Sequence, residues 1–177
     1  MKSTGIIRRI DELGRIVIPK EIRKKLRIHD GDNIEISIDE LENIILSKYS
    51  SMGKVDDSIQ ALINSLYGYI NKNVILTDNE KIIGYAGNSQ NIKTNDLITN
   101  DIHKIIEKRE KILGNIDKDI QITNNYLLHG FYYICPIIVN YEVVGLIIIE
   151  DNKESISDND KSLLDFIITF FSKYLAY

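Results

Sequence analysis

The chain of 177 residues contains no tryptophan, two prolines and a single cysteine, Cys135. One cysteine excludes an intramolecular disulfide, and such usage suits a reducing compartment. The longest apolar runs, for example residues 143–149, are far too short to cross a bilayer. The N-terminus lacks the charged-then-apolar pattern of a secretory signal. We therefore expect a soluble, cytoplasmic protein.

The patterns of catalysis and of metal binding are also missing. His29, His103 and His129 do not have the spacing of metal ligands, and no cysteine pair accompanies them. The sequence has no phosphate loop, dinucleotide fingerprint or nucleophile elbow. We expect no enzyme, no metal and no cofactor. Cys135 lies in an apolar run and is expected to be a core residue.

Charge is distributed unevenly along the chain, although the net charge is only −4. Residues 1–29 carry nine basic and three acidic side chains, whereas residues 50–177 carry twelve basic and seventeen acidic ones. Such asymmetry indicates a polyanion partner for the N-terminal part, and charge alone leaves a solvated basic face as the alternative. The acidic remainder is a poor candidate for nucleic-acid binding.

The first fifty residues predict strands at their two ends and a short helix between them. Residues 6–10 and 15–18 read as strands joined at Gly14, which is suited to the positive φ of a tight loop. Pro19 begins a helix of about two turns. Residues 33–38 alternate between apolar and polar side chains, and residues 44–46 pair back on them.

That module is too small to bury a sufficient core alone. About fifty residues without a disulfide or metal seldom reach comfortable stability. We therefore expect an obligate dimer, with interleaved hairpins as one way to build it. A short polar linker over residues 50–54 follows.

Residues 55–177 predict an antiparallel sheet flanked by helices, an α+β domain. The periodicity indicates helices over 55–70, in the later part of 95–111, and from an N-cap at Asp158 to the end. Strands are expected over 73–77, 81–86, 131–139 and 142–150, with a further strand and loop within 117–125. The run 142–150 is almost wholly apolar and is expected at the centre of the sheet. The apolar band of the last helix is wide enough to cover its own sheet and a second surface, such as a subunit.

The N-terminal stretch resembles a known family. Residues 2–23, and above all the core Gly14-Arg15-Ile-Val-Ile-Pro19 with the basic helix after it, are similar to the N-terminal domain of the AbrB family of transition-state regulators. The likeness covers residues 1–49. The layout of the whole chain resembles the SpoVT-like sporulation regulators, whose C-terminal half is a GAF-type domain.

This resemblance implies an α+β protein with two domains: a swapped-hairpin, intertwined dimer that binds double-stranded DNA (residues 1–49) and a GAF-like domain for regulation and assembly (residues 55–177). It further implies a nucleoid-associated transcription regulator that activates and represses late sporulation genes, and a homotetramer joined through the GAF-like domains. Five basic residues match positions that contact DNA in the family: Arg8, Arg9, Arg15, Arg23 and Lys24.

Several alternatives stay open at this point. One or two of these basic side chains would serve only to pair with Asp11, Glu12 or Glu21. Tyr85, Asn88 and Tyr133 would line a small-molecule pocket in the GAF-like half, or that half has a filled core, and no ligand is named by the sequence.

For the whole protein, the alternatives are a small-molecule sensor or an antitoxin-type protein in which DNA contact is incidental. The apolar content of residues 55–177 argues against an antitoxin, because toxin-neutralising segments are usually short and extended.

Overall fold

A computed structural model describes residues 5–28, 30–49, 52 and 57–176. The chain divides into two compact units, Met1–Tyr49 and Ser50–Tyr177. Most of the expected linker, residues 50–54, lies outside the described residues. Met52 is the exception: it is fully buried in the apolar core of the second unit. No helix among the described residues combines the length and apolar character needed to cross a bilayer.

The described part of the first unit contains one helix and one strand pair. Helix α1 spans Lys20–Lys25, and the carbonyl of Pro19 accepts the N–H of Arg23 at 2.9 Å. Strands β1 (Ile34–Ile38) and β2 (Ile44–Lys48) form an antiparallel hairpin. Lys48 Nζ ties this hairpin to the end of α1 through the carbonyl of Arg27, 3.3 Å away.

The predicted strands over residues 6–10 and 15–18 are not formed within one chain. Only their turn closes, with φ of +75° at Gly14 as expected. If this segment used the β1–β2 register, Ile10 would pair with Ile16 and Arg8 with Ile18. Pro19 has no N–H and would end the ladder there. A two-stranded ribbon so short is marginally stable at best in water without further strands or a helix to support it.

The described residues of the first unit, 5–28 and 30–49, form no apolar core of their own. On β1–β2, Ile36 pairs with Leu46 and Ile38 with Ile44, which places apolar side chains on one face. No described residue of the unit covers that face, and Ile36 is 70% exposed. Its exposed large apolar side chains are Ile6, Ile7, Ile10, Leu13, Ile16, Val17, Leu26, Ile36, Ile38, Leu41, Ile44, Ile45 and Tyr49.

The second unit is built on one antiparallel sheet of five strands. In chain order the elements are α2 (Asp57–Ile70), β3 (Asn73–Thr77), β4 (Ile82–Ala86), α3 (Asn100–Lys108), β5 (Ile112–Gly114), β6 (Ile120–Thr123), β7 (Tyr126–Leu128), β8 (Phe131–Val139), β9 (Glu142–Asp151) and α4 (Asp158–Tyr174). The sheet order is β4-β3-β9-β8-β5. Strand β9 pairs on both sides, so its central position is as predicted.

Apolar layers cover both faces of this sheet. On one face α2 and α4 pack through Ile63, Leu164 and Phe171 against side chains such as Ile147. On the other face α3 and the β6–β7 hairpin pack through Ile102 and Ile122. Each strand alternates its side chains between the two layers. This unit therefore buries its own core, unlike the first.

Local departures from the expected elements have simple causes. Helix α4 is capped by Ser157 rather than Asp158: the Ser157 hydroxyl accepts the N–H of Asp160, and the Asp160 carboxylate accepts the N–H of Ser157. This capping box places Asp158 at the first helical position. Strands β5 and β7 were not predicted, because three residues carry too little pattern to be read.

Gly145 generates a stability prediction for the sheet. A Cβ at this position on β9 would overlap the carbonyl oxygen of Thr77 on β3. Backbone cannot rotate away as a side chain can, so Gly145→Ala must push the two central strands apart. We expect it to lower the free energy of unfolding of the second unit by about 1–3 kcal/mol, measured by urea denaturation of the full chain with circular dichroism.

Gly68→Ala is the matched control. Gly68 lies on the exposed side of α2, and a Cβ there would meet nothing within 4 Å. The same added methyl should raise stability by about 0.5–1 kcal/mol, because it favours the helix. Equal effects of the two substitutions would contradict the proposed crowding at Gly145.

Candidate nucleic-acid interface

The turn at residues 11–15 is organised by one carboxylate. Asp11 Oδ1 accepts the backbone N–H of Leu13 at 3.0 Å and that of Arg15 at 2.8 Å. The backbone adds a bond from Gly14 N–H to the Asp11 carbonyl and one from Asp11 N–H to the Arg15 carbonyl, at 2.9 and 3.1 Å. Asp side chains favour turns for this reason. The tip is therefore fixed even though its arms are not paired.

The same carboxylate also holds Arg15. Asp11 Oδ2 accepts the Arg15 Nε–H at 2.7 Å, and the Arg15 side chain remains 72% exposed. The backbone hydrogen bond from Arg15, followed by the one from its side chain, holds the pKa of Asp11 below its ordinary value. Because both groups face solvent, this pair contributes little to folding. Its effect is on where the guanidinium lies.

The hairpin β1–β2 repeats this turn. Ile10-Asp-Glu-Leu and Ile38-Asp-Glu-Leu are identical, and Asp39 Oδ1 accepts the N–H of Leu41 at 3.0 Å and that of Asn43 at 2.8 Å. Asn43 Nδ2 donates to Asp39 Oδ2 at 3.0 Å. This hydrogen bond corresponds to the one from Arg15 Nε to Asp11 Oδ2 in the first turn. The two turns differ in charge, because Gly14 and Arg15 of the first turn are replaced by Glu42 and Asn43 in the second.

Arg8 and Arg9 precede the first turn and are both exposed. Arg8 Nη1 makes one weak contact, 3.4 Å from the carbonyl of the neighbouring Ile7. Among the described residues Arg9 has no ion pair. Both guanidinium groups are thus available to an anion from outside the chain.

Helix α1 carries the remaining two candidates. Arg23 Nη1 lies 3.0 Å from Asp30 Oδ1, and the Arg23 side chain is partly buried. Its Nε is shielded from solvent and has no hydrogen-bond partner among the described residues. Lys24 is exposed, and its ammonium has no partner among the residues that the structure describes.

The structure thus places all five predicted residues in the first unit, four of them exposed and Arg23 partly so. We call the set Arg8, Arg9, Arg15, Arg23 and Lys24 the basic surface. The alternative pairing with acidic neighbours is realised for Arg15 with Asp11, while Arg23 pairs with Asp30. Neither Glu12 nor Glu21 forms an ion pair within the described residues.

In the second unit the expected pocket residues are not brought together. Tyr85 packs against the layer of α3, whereas Tyr133 belongs to the layer of α2 and α4, on the opposite face of the sheet. Asn88 is engaged by the hydroxyl of Tyr67, which donates to its Oδ1 at 2.9 Å. The expectation of one pocket lined by all three residues is therefore wrong. Cys135 is fully buried as predicted, and burial raises the pKa of its thiol to about 12.

A buried carboxylate on β9 was missed by sequence reasoning. Glu150 is 2% exposed, and its Oε2 accepts the hydroxyl of Tyr126 and, at 3.5 Å, the amide of Asn73. Burial raises the pKa of Glu150 above its ordinary value. The signal available in the sequence was an acidic residue closing the apolar run 143–149. No metal-ligating cluster occurs among the residues with described positions.

Comparison with known proteins gives two family matches. Residues 55–176 match the family described as "Stage V sporulation protein T C-terminal, transcription factor". Residues 7–54 match the family described as "Antidote-toxin recognition MazE, bacterial antitoxin". The two matches meet between residues 54 and 55, five residues after the boundary between the two units.

Whole-sequence and structural comparisons extend this picture. The chain is 31% identical to Stage V sporulation protein T of Bacillus subtilis over 176 residues, 99% of each chain. It is 59% identical to the transition state regulatory protein AbrB of the same organism over 49 residues, 28% of this chain and 50% of AbrB. The GAF domain of an Acinetobacter phosphoenolpyruvate-protein phosphotransferase superposes with a TM-score of 0.55 at 14% identity, covering 73% of this chain and 84% of that one. This last likeness shows the fold alone, and it confirms the expected GAF-like sheet.

Proposed function

The chain belongs to the family of stage V sporulation protein T transcription factors, and we propose that it holds duplex DNA on its basic surface, which two copies of the chain build together. The family relation makes it a DNA-binding regulator of the AbrB-like type. We propose below how the DNA is bound, by which residues, and in what assembly.

The observation that carries the proposal is that the first unit exposes both cations and large apolar side chains. Four of its five candidate cations are exposed, and so are thirteen of its large apolar side chains. The cations suit a polyanion in water. The apolar side chains need a cover, and a second copy of the same unit supplies one of matched size. We propose that residues 1–49 form an intertwined dimer in which residues 5–18 of each chain pair with the other copy.

The basic surface has two parts in this arrangement. Arg8, Arg9 and Arg15 flank a turn fixed by Asp11, and Arg23 and Lys24 lie on α1. Arginine offers a planar fork for phosphates and for guanine edges, and lysine a compact charge. Most contacts would go to phosphates and fix the position of the protein, and a minority would read bases or groove shape.

We propose that the second unit, residues 55–177, joins two such dimers into a tetramer. Phe166, Phe170 and Tyr174 are spaced four residues apart and follow one face of α4. Phe166 is 71% exposed, and the rings of Phe170 and Tyr174 stack with centroids 5.7 Å apart. We call these three side chains the aromatic stripe. Residues 50–54 would act as the linker between the two domains.

Two finer points follow from the relatives. Near-complete coverage of a protein named for sporulation supports a cytoplasmic, nucleoid-associated regulator that both activates and represses late sporulation genes, without a catalytic role. The antitoxin alternative is not favoured, because residues 55–176 form a folded unit with two apolar layers rather than an extended segment.

Arg15→Ala tests the grip directly. Losing the guanidinium should remove one phosphate or base contact per copy, so we expect weaker binding of the full chain to a duplex selected with the unaltered protein. The slope of log affinity against log salt concentration should become less steep by roughly one for each copy, because fewer counterions are released. Fluorescence anisotropy over a salt series measures both.

Lys153→Ala is the control, since it removes one exposed cation from the second unit. It should change neither affinity nor salt dependence. Unchanged binding by Arg15→Ala at physiological salt would refute the assignment of this contact.

Phe170→Asp tests the assembly. A buried carboxylate within an apolar contact is costly, so the tetramer should separate into dimers of about half the mass, seen by sedimentation velocity. Binding to a long fragment should weaken as well, because the second dimer no longer adds effective concentration. Tyr69→Asp, at an aromatic residue on α2 that is 83% exposed, should leave the mass unchanged. A tetramer that survives Phe170→Asp would exclude the stripe as its contact.

A further inference from the structure

The repeated turn separates two roles that an aspartate can have. In both turns the Asp accepts two backbone N–H groups at matching distances, so both fix the loop. In the first turn alone it also accepts a guanidinium, that of Arg15. The second turn shows that the loop forms without an arginine at this place.

We propose that Asp11 is a positioning residue for DNA recognition, which acts by holding Arg15 so that the two Nη groups face the DNA. This inference rests on the proposed DNA contact of Arg15. It goes further by assigning a role in binding to an acidic residue, which would by charge alone oppose a polyanion.

The geometry of the guanidinium supports this role. Arginine has five N–H donors in a rigid planar fork. Asp11 Oδ2 takes the one on Nε, 2.7 Å away, and the four N–H groups on Nη1 and Nη2 have no partner among the described residues. These two nitrogens form the edge that binds phosphate or guanine in a bidentate manner. Asp11 therefore uses the donor that bidentate binding through Nη1 and Nη2 does not need.

Fixing the side chain in the free protein also lowers the entropy lost on binding. An exposed arginine samples many rotamers, and immobilising it on DNA has a free-energy cost. Asp11 anchors the guanidinium at a turn whose backbone it also anchors, with Asp11 N–H to Arg15 O at 3.1 Å. The edge formed by Nη1 and Nη2 is thereby held in a fixed position relative to the backbone before DNA binds.

The two possible roles of Asp11 predict opposite signs for Asp11→Asn. Asparagine keeps an oxygen for the N–H groups of Leu13 and Arg15 but replaces the acceptor of the Arg15 Nε–H with an amide NH₂. If Asp11 only fixed the turn, removing a negative charge beside DNA would strengthen binding. If Asp11 positions Arg15, binding should weaken by roughly three- to thirtyfold, which lies within the range of couplings between contacting residues.

Asp39→Asn is the matched control. It makes the same chemical change in the second turn, which has the same backbone hydrogen bonds but no arginine. The experiment compares the full-length variants for binding to a duplex selected from a random-sequence pool with the unaltered protein. We expect weaker binding for Asp11→Asn, no weakening for Asp39→Asn, and similar unfolding temperatures for both. Unchanged or tighter binding by Asp11→Asn would overturn the proposal.

A double-mutant cycle shows whether Asp11 acts through Arg15. In the Arg15→Ala background Asp11→Asn should no longer weaken binding, since there is no guanidinium to hold. An equal loss in both backgrounds would contradict positioning and point to the turn itself. If Asp11→Asn fails to fold, Asp11→Ser keeps an oxygen for the turn and enters the same cycle.

The cycle also separates this inference from the proposed function. If Arg15→Ala leaves binding unchanged, the DNA contact itself is refuted, and positioning with it. If Arg15→Ala weakens binding and Asp11→Asn does not, the contact stands and the positioning role of Asp11 is overturned.

Discussion

The first forty-nine residues depend on burying apolar side chains that one copy of the chain cannot bury. No described residue of the first unit lies behind the layer formed by Ile36, Ile38, Ile44 and Leu46 on β1–β2, and Ile7 and Val17 on either side of the first turn are as exposed. Hydrophobic burial is the main favourable term in folding, so such a unit gains little by itself. The proposed pairing with a second copy would resolve this, double the basic surface and give it two-fold symmetry. Folding and dimerisation are thus proposed to be one event in this half of the protein, and that event builds the DNA-binding surface.

The fixed turn at Asp11 and the unpaired arms around it show where sequence reasoning succeeds. The positive φ of Gly14 and the helix after Pro19 follow from local chemistry and were predicted. The strands predicted at 6–10 and 15–18 follow from an apolar pattern that is also local, but they do not pair with each other in one chain, and we propose that they pair with a second copy. A pattern can state that a segment is able to form a strand without stating where its partner lies.

The second unit was predictable to the extent that its elements are long and periodic. Strand β9 was placed at the sheet centre because it is apolar on both faces, and the width of the apolar band on α4 indicated its exposed aromatic stripe. The position of Tyr133 was not predictable in this way, because the face of a strand residue depends on register. Glu150 was missed since burial of a carboxylate depends on Tyr126 and Asn73, which are distant in sequence. The repeated Ile-Asp-Glu-Leu at 10–13 and 38–41 was readable in the sequence, yet its meaning came only from the matching hydrogen bonds.

The central claim, that the DNA-binding half is stable only as a dimer, is tested most directly by unfolding a fragment of residues 1–54 at a series of protein concentrations. If folding and association are one equilibrium, the midpoint must rise with concentration, by about 1.4 kcal/mol of added stability for each tenfold increase. Sedimentation of the folded fragment should give the mass of two chains. A midpoint independent of concentration, together with a folded species of one-chain mass, would contradict the account.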